Sequence, residues 1–332
     1  EREVGYWDLH REMGGLLQEG NLDELDETLE ERARNLRTKA VTPVAEPYTL
    51  GRLQEDMLQT PDQLKTGFES LDKLVGIPQG ALSIVATRPS HGRTAFLMNL
   101  FLNMIADNEE RAFFFFSYRE SRKWVALKLL SILSGKVIDP DHNLNLLERY
   151  VKGGYGSTPE IEKGKNEFNL LTEKGRLWII DEPYSADDLV DTLVGLSGKY
   201  DVGAIFIDSM QKIKTKGDHV SRRGELQSVS ERILETAKAL SIPIILGARV
   251  DGGPQHKGNI GLEDLKKAGD IGQDAHLVLG LYTDAVEKAI EDGTSLAESA
   301  LDLKVKVLKN RNGPINQEVI LRLNRPLMKV SE

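Results

Sequence analysis

Apolar runs of four to six residues recur along most of this chain, separated by longer stretches in which apolar positions return every three or four residues. The runs read as buried strands, and the periodic stretches as helices laid on them by one face. Strands are predicted at Ala81–Ala86, Ala112–Ser117, Leu177–Asp181, Gly203–Ile207, Ile242–Gly247, Leu277–Leu281, Leu303–Leu308 and Val319–Leu323. Helices are predicted between them, among others over Lys123–Leu133, Asp187–Leu196 and Leu226–Leu240. Such alternation predicts an α/β fold with a mainly parallel sheet covered on both faces, its ligand lying at the carboxyl ends of the strands. Asn310-Arg311-Asn312-Gly313-Pro314 joins the last two runs. Asn-Gly favours a tight turn, so these runs are expected to form an antiparallel β-hairpin.

The first sixty residues follow another pattern. Leu22, Leu25, Leu29 and Leu36 form one stripe in a segment holding 14 Asp/Glu against 7 Lys/Arg over residues 1–60. We read 1–41 as an acidic helical segment, a solvated surface with one packed side. Thr42-Pro43-Val44-Ala45-Glu46-Pro47 reads as a linker, because two prolines break a helix and favour extended backbone. A short helix over Tyr48–Met57 completes the segment 42–60, and the main domain is expected over 61–332. The net charge of −9 argues against coating duplex DNA by bulk electrostatics but permits a local basic channel. The chain has no cysteine, which excludes a disulfide framework and fits a cytoplasmic protein. No apolar run is long enough to cross a bilayer, and no secretion leader is expected at its start, so no membrane partner is expected.

Candidate chemistry begins at Ser83-Ile84-Val85-Ala86-Thr87-Arg88-Pro89-Ser90-His91-Gly92-Arg93-Thr94. A buried strand runs into a Pro/Ser/Gly turn and then a helix, a path that aims backbone N–H groups and the positive helix end at phosphate. Against the spacing G-x-x-x-x-G-K-[ST], Thr87 stands at the first Gly, Gly92 at the second, Arg93 at the Lys and Thr94 at the hydroxyl. A second piece is Gly203-Ala204-Ile205-Phe206-Ile207-Asp208, an apolar strand ending in a carboxylate, the arrangement that sets an acid beside the Mg²⁺ of a bound nucleotide. The pair favours a nucleotide site.

The chain also resembles a known family. Thr66-Gly67-Phe68-Glu69-Ser70-Leu71-Asp72-Lys73, Arg88-Pro89-Ser90, Ile207-Asp208-Ser209-Met210-Gln211, Asp264-Leu265 with Gly269, Ile271 and Gln273-Asp274-Ala275, and Lys309-Asn310-Arg311-Asn312-Gly313-Pro314 occur in the order of the DnaB-type replicative helicase signatures. The resemblance covers about residues 61–330 and implies a RecA-like P-loop NTPase core. The front of the chain resembles only the tail of that family's N-terminal region and the linker helix that docks on a neighbouring subunit. By resemblance, the protein forms a homohexamer or similar ring that binds ATP, or another NTP, with Mg²⁺ at subunit interfaces and draws single-stranded DNA through its centre. Primase, a helicase loader or an active helicase are the further partners implied. Arg88, Pro89, Ser90, His91, Gly92, Arg93 and Thr94 would wrap the phosphates, and Thr94 with Asp208 would hold the metal. Lys309 and Arg311 would reach the γ-phosphate of the adjoining subunit. Lys212, Lys214, Lys216, Arg222 and Arg223 lie where the family places a DNA-contacting loop.

Three positions depart from that family on the residues of hydrolysis. Arg93 replaces the compact lysine ammonium with a planar guanidinium. The family's Ser-Leu-Glu appears as Ser117-Tyr118-Arg119, so Glu120 becomes the candidate base, needing a small bulge to reach the site. Arg249 takes the place of the sensing Gln. ATP-dependent helicase activity with impaired hydrolysis is therefore expected. Two alternatives remain: a catalytically weak scaffold or accessory subunit of a nucleic-acid complex, and a RecA/KaiC-type regulatory ATPase without DNA.

Overall fold

The computed structural model describes residues 49–52, 54, 63–136, 158–216, 221–250, 260–266, 271–296 and 300–332. The chain divides into two compact units, Glu1–Thr60 and Pro61–Glu332. In the first, residues 50–52 and 54 are helical, and the Arg52 N–H donates to Thr49 Oγ1 at 3.2 Å. The acidic segment 1–41 and the proline linker lie outside the described residues.

The second unit is built on a nine-stranded sheet. In chain order, β1 (Gln63–Leu64) and β2 (Ile77–Pro78) form a separate ribbon. Then come β3 (Leu82–Thr87), β4 (Ala112–Ser117), β5 (Leu177–Ile180), β6 (Val202–Asp208), β7 (Ile244–Arg249), β8 (Leu277–Tyr282), β9 (Ala300–Asn310), β10 (Glu318–Asn324) and β11 (Lys329–Ser331). Their order across the sheet is β11-β10-β9-β8-β3-β7-β6-β4-β5. The strands from β8 to β5 are parallel, and β9, β10 and β11 continue antiparallel. Every strand expected from the pattern is present. The helices at Pro159–Glu173 and Asp284–Asp292 escaped it because they bury so little: Ile161, Gly164 and Leu171 in one, Val286 in the other.

Four successive phenylalanines show how the core is divided. Side chains alternate across a strand, so Phe113 and Phe115 face the helix Arg93–Asp107, while Phe114 and Phe116 join the layer of helices Ala186–Lys199 and Arg222–Leu240. Phe101 meets Phe115 and Phe206 edge-on at 5.5 and 5.2 Å between ring centres. The Thr66–Lys73 motif braces the same helix. Asp72 accepts the Thr66 N–H at 2.6 Å, the Thr66 hydroxyl at 2.7 Å and the Gly67 N–H at 3.2 Å, and the neighbouring Phe68 stacks on Phe96 at 5.6 Å.

The C-terminal hairpin is antiparallel as expected, with Lys306 opposite Glu318. Its turn is wider than Asn-Gly predicted. The Asn316 N–H closes on the Val307 carbonyl at 2.7 Å, and β9 runs past its partner to Asn310, where it pairs with Leu277 of β8. Pairing with β8 outweighs the local turn preference, and the residues from Leu308 onward project beyond β10.

Candidate functional site

β3 is the middle strand of the nine-stranded sheet, between β7 and β8, and its last residue, Thr87, pairs with Arg249 and Leu281. The chain leaves this carboxyl edge through residues 88–92 and enters the helix Arg93–Asp107. Ser90 at φ 70° and Gly92 at φ 82° take the left-handed backbone that such a tight reversal needs. A Cβ on Gly92 would also lie 2.7 Å from Leu323 Cδ2. No side chain caps the helix and no acid stands in its first turn, so its leading N–H groups and positive end stay directed at the loop. A cleft of about 340 Å³ opens there, lined by the loop from Thr87 to Ala95 and by Arg119, Arg249, Leu323, Arg325 and Met328. That volume lies within the range of small-molecule sites, roughly 300–1,000 Å³.

The loop is anchored from below by His91, which is buried. Its Nδ1 accepts the Thr283 N–H at 2.9 Å, which leaves the proton on Nε2, 3.1 Å from Glu287 Oε1. Arg88 reaches the same carboxylate oxygen at 2.9 Å. Burial holds the His91 imidazole below the usual histidine range, against the pull of Glu287 and with the help of Arg88. His91 is thus an anchor of the loop, turned away from solvent, whereas Pro89 and Ser90 are exposed at its rim.

Arg93 is turned into the protein. Its Nε and Nη2 lie 3.1 and 2.8 Å from Asp208 Oδ1, while the Thr94 hydroxyl donates to Oδ2 at 2.6 Å. Gly247 makes this path possible, since a Cβ there would lie 3.2 Å from Arg93 Cδ and Nε. A second cavity of about 140 Å³ adjoins, lined by Thr94, Ser117, Arg119, Glu120 and Asp208 among others. Glu120 therefore reaches the site. The residues after β4 loop so that the Ser117 hydroxyl donates to the Glu120 carbonyl at 2.7 Å, and Lys128 holds both oxygens of the Glu120 carboxylate. Arg119 is exposed and has no ion pair among the described residues. Thr94 and Asp208 are oxygen donors of the kind Mg²⁺ takes, but Arg93 and Thr94 already occupy both Asp208 oxygens, and Lys128 occupies Glu120. As it stands, this set is closed to the ion.

Lys309 and Arg311 converge. Lys309 Nζ donates to the Gly272 and Gln273 carbonyls at 2.8 Å each, and Arg311 Nη2 to Gln273 at 3.1 Å. Burial, reinforced by Arg311, holds the Lys309 ammonium below its usual range. Both sit at the amino end of the parallel strands, opposite the edge where the loop of the same chain lies. In the loop after β6, Lys212 and Lys214 are exposed. Lys216 pairs with Asp188 at 2.7 Å, and Arg222 pairs with Glu225 and donates to the Gln211 carbonyl at 2.6 Å. Arg223 is exposed beside it. Arg249 exchanges backbone bonds with the Gln211 side chain, 3.0 Å from its N–H and 2.9 Å to its carbonyl, which ties the cleft to that basic segment. Sequence reasoning missed Leu323, Met328 and, among the charged lining residues, Arg325. Arg325 stands in the turn from β10 to β11, held to the loop helix by Asn99, which donates to the Met328 carbonyl at 2.7 Å. Only its place in the tertiary fold brings it to the cleft.

Comparisons with known proteins identify the family and the fold. The replicative DNA helicase DnaB of Rickettsia typhi is 29% identical over 282 residues, covering 76% of this chain and 53% of that protein. That of Helicobacter pylori strain J99 is 28% identical over 283 residues, covering 79% and 55%. The chain spans about half the length of these curated relatives. Among solved structures, a DnaB-like replicative helicase studied for its interactions with primase superposes with a TM-score of 0.73 at 18% identity, covering 99% of this chain and 77% of that one. A separately solved ATPase domain does so with 0.69 at 18% identity, covering 85% and 96%. Both share the RecA-like fold. No described helix is long and apolar enough to cross a membrane. Residues 63–332 match the family described as the DnaB-like helicase C terminal domain, and the chain belongs to that family.

Proposed function

We propose that this chain is the motor portion of a DnaB-like ring, binding ATP in the cleft above Gly92 and acting on single-stranded DNA in the cytoplasm. The observation that carries the reading is the loop itself. An uncapped helix end, a left-handed glycine and a cleft rimmed by arginines favour a triphosphate on the carboxyl edge of the sheet. ATP binds its phosphates against the backbone from Ser90 to Thr94, and Arg249 follows the state of the cleft through its bonds to Gln211. Lys309 and Arg311 serve the site of an adjoining subunit, leaving the Gly272 and Gln273 carbonyls to meet charge that develops in the transition state. Lys212 and Lys214 meet DNA phosphates in the ring centre, with Lys216, Arg222 and Arg223 around them. Primase is the partner we favour for the assembled ring.

Hydrolysis is slow in this reading. Glu120 is the carboxylate beside Asp208 that could orient a water, and Lys128 must release its oxygens before it can do so. The reading is tested by measuring ATP binding, assembly mass with and without ATP, and unwinding of a forked duplex. Binding that promotes ring assembly, with turnover raised by single-stranded DNA, is expected. A chain that binds no ATP and stays monomeric refutes it.

A further inference from the structure

Two carboxylates line the 140 Å³ cavity beside Thr94, and each is matched by a cation from the same chain: Asp208 by Arg93, Glu120 by Lys128. The Arg93–Asp208 pair is deeply buried, with side chains 7% and 5% exposed. Such a pair is hard to open, because withdrawing either partner leaves the other charge uncompensated inside the protein. Arg93 is also held sterically, its stem lying over Gly247 where any Cβ would crowd it. An incoming divalent cation would have to displace the guanidinium from its carboxylate and leave it without a counter-charge.

The open side of the site carries charge of the same sign. Arg119, which has no ion pair among the described residues, lines both cavities, and Arg249 and Arg325 line the larger one. A triphosphate free of metal brings about two more negative charges to such a surface than its Mg²⁺ complex does.

We propose that Arg93 stands in for the divalent cation at Asp208, so that this cleft takes up a nucleoside triphosphate without requiring Mg²⁺. The inference rests on the nucleotide-site reading above. It concerns binding, and involves no bond made or broken.

The test is calorimetric titration of the whole chain with ATP, once in excess Mg²⁺ and once in excess EDTA, with Arg93→Lys alongside. For the natural chain the two dissociation constants are expected to agree within about threefold, or to favour EDTA. In Arg93→Lys the compact ammonium no longer spans Asp208, and binding is expected to become at least about tenfold tighter with Mg²⁺ than without. If the natural chain binds ATP only with Mg²⁺, this inference is overturned and the nucleotide site stands. If it binds ATP in neither medium, the nucleotide reading itself fails. Should Arg93→Lys not fold, Asp208→Asn in the natural background provides a second reading. Equal weakening in both media supports the inference, and loss confined to the Mg²⁺ titration overturns it.

Discussion

At Gly92 backbone and packing make the same demand, since φ is 82° and a Cβ would press on Leu323. Gly92→Ala is therefore expected to cost about 1–3 kcal/mol in denaturant unfolding and to weaken ATP binding, because the loop must distort to relieve both. His91 makes a prediction of a different kind. Its folded-state affinity for a proton is depressed, first by burial, so the unfolded chain takes up a proton at a higher pH than the native one. Stability from this residue is intact above the ordinary histidine value of 6.5 and falls as pH drops below it. Thermal unfolding followed from about pH 7.5 to about pH 5 should show that loss, and His91→Asn, which can still accept the Thr283 N–H, should flatten it. A profile unchanged by the substitution would assign the acid sensitivity to other groups. The sequence pointed to Gly92 and Thr94 through spacing alone. It could not show that His91 faces inward, because the residues that receive it, Thr283 and Glu287, lie nearly two hundred positions away.

The parallel strands were legible because each is a continuous apolar run buried on both faces, and the Phe113–Phe116 run is the plainest case. Elements with little burial were not legible. The helix Asp284–Asp292 buries only Val286, yet it carries the Glu287 that grips Arg88 and faces His91. The basic segment after β6 shows a similar limit. Five cations look equivalent in sequence, but Lys216 and Arg222 are paired with acids supplied by Asp188 and Glu225. Lys212 and Lys214 are thus the better placed to release counterions on binding DNA. Replacing both by Ala should reduce the slope of log affinity against log salt by about 1.4 for single-stranded DNA, whereas Lys216→Ala should change it less. Fluorescence anisotropy across a salt series measures this directly. An unchanged slope in the double variant would remove these lysines from the DNA path.

At the scale of the whole sheet, the loop cations Arg88 and Arg93 and the hairpin cations Lys309 and Arg311 stand at opposite edges. Thr87 pairs with Leu281 and Leu281 with Val305, whereas Lys309 pairs with Val278 toward the opposite edge. Lys309 lies four positions beyond Val305 along β9, about 13 Å at the rise of a strand. Lys309 and Arg311 therefore have no route to the loop of their own chain, and a role at a nucleotide requires a second copy. Subunit mixing tests that requirement. A chain carrying Lys309→Ala and Arg311→Ala keeps its loop, and a chain carrying Gly92→Val keeps its hairpin. Each alone should retain ATP poorly. In an equal mixture, random assembly in a ring creates interfaces in which an intact loop faces an intact hairpin at about a quarter of positions. Tight ATP sites should reappear in that proportion. If mixing restores nothing while both variants still enter rings, the hairpin cations act outside the neighbouring site, and the Gly272 and Gln273 carbonyls are their permanent partners.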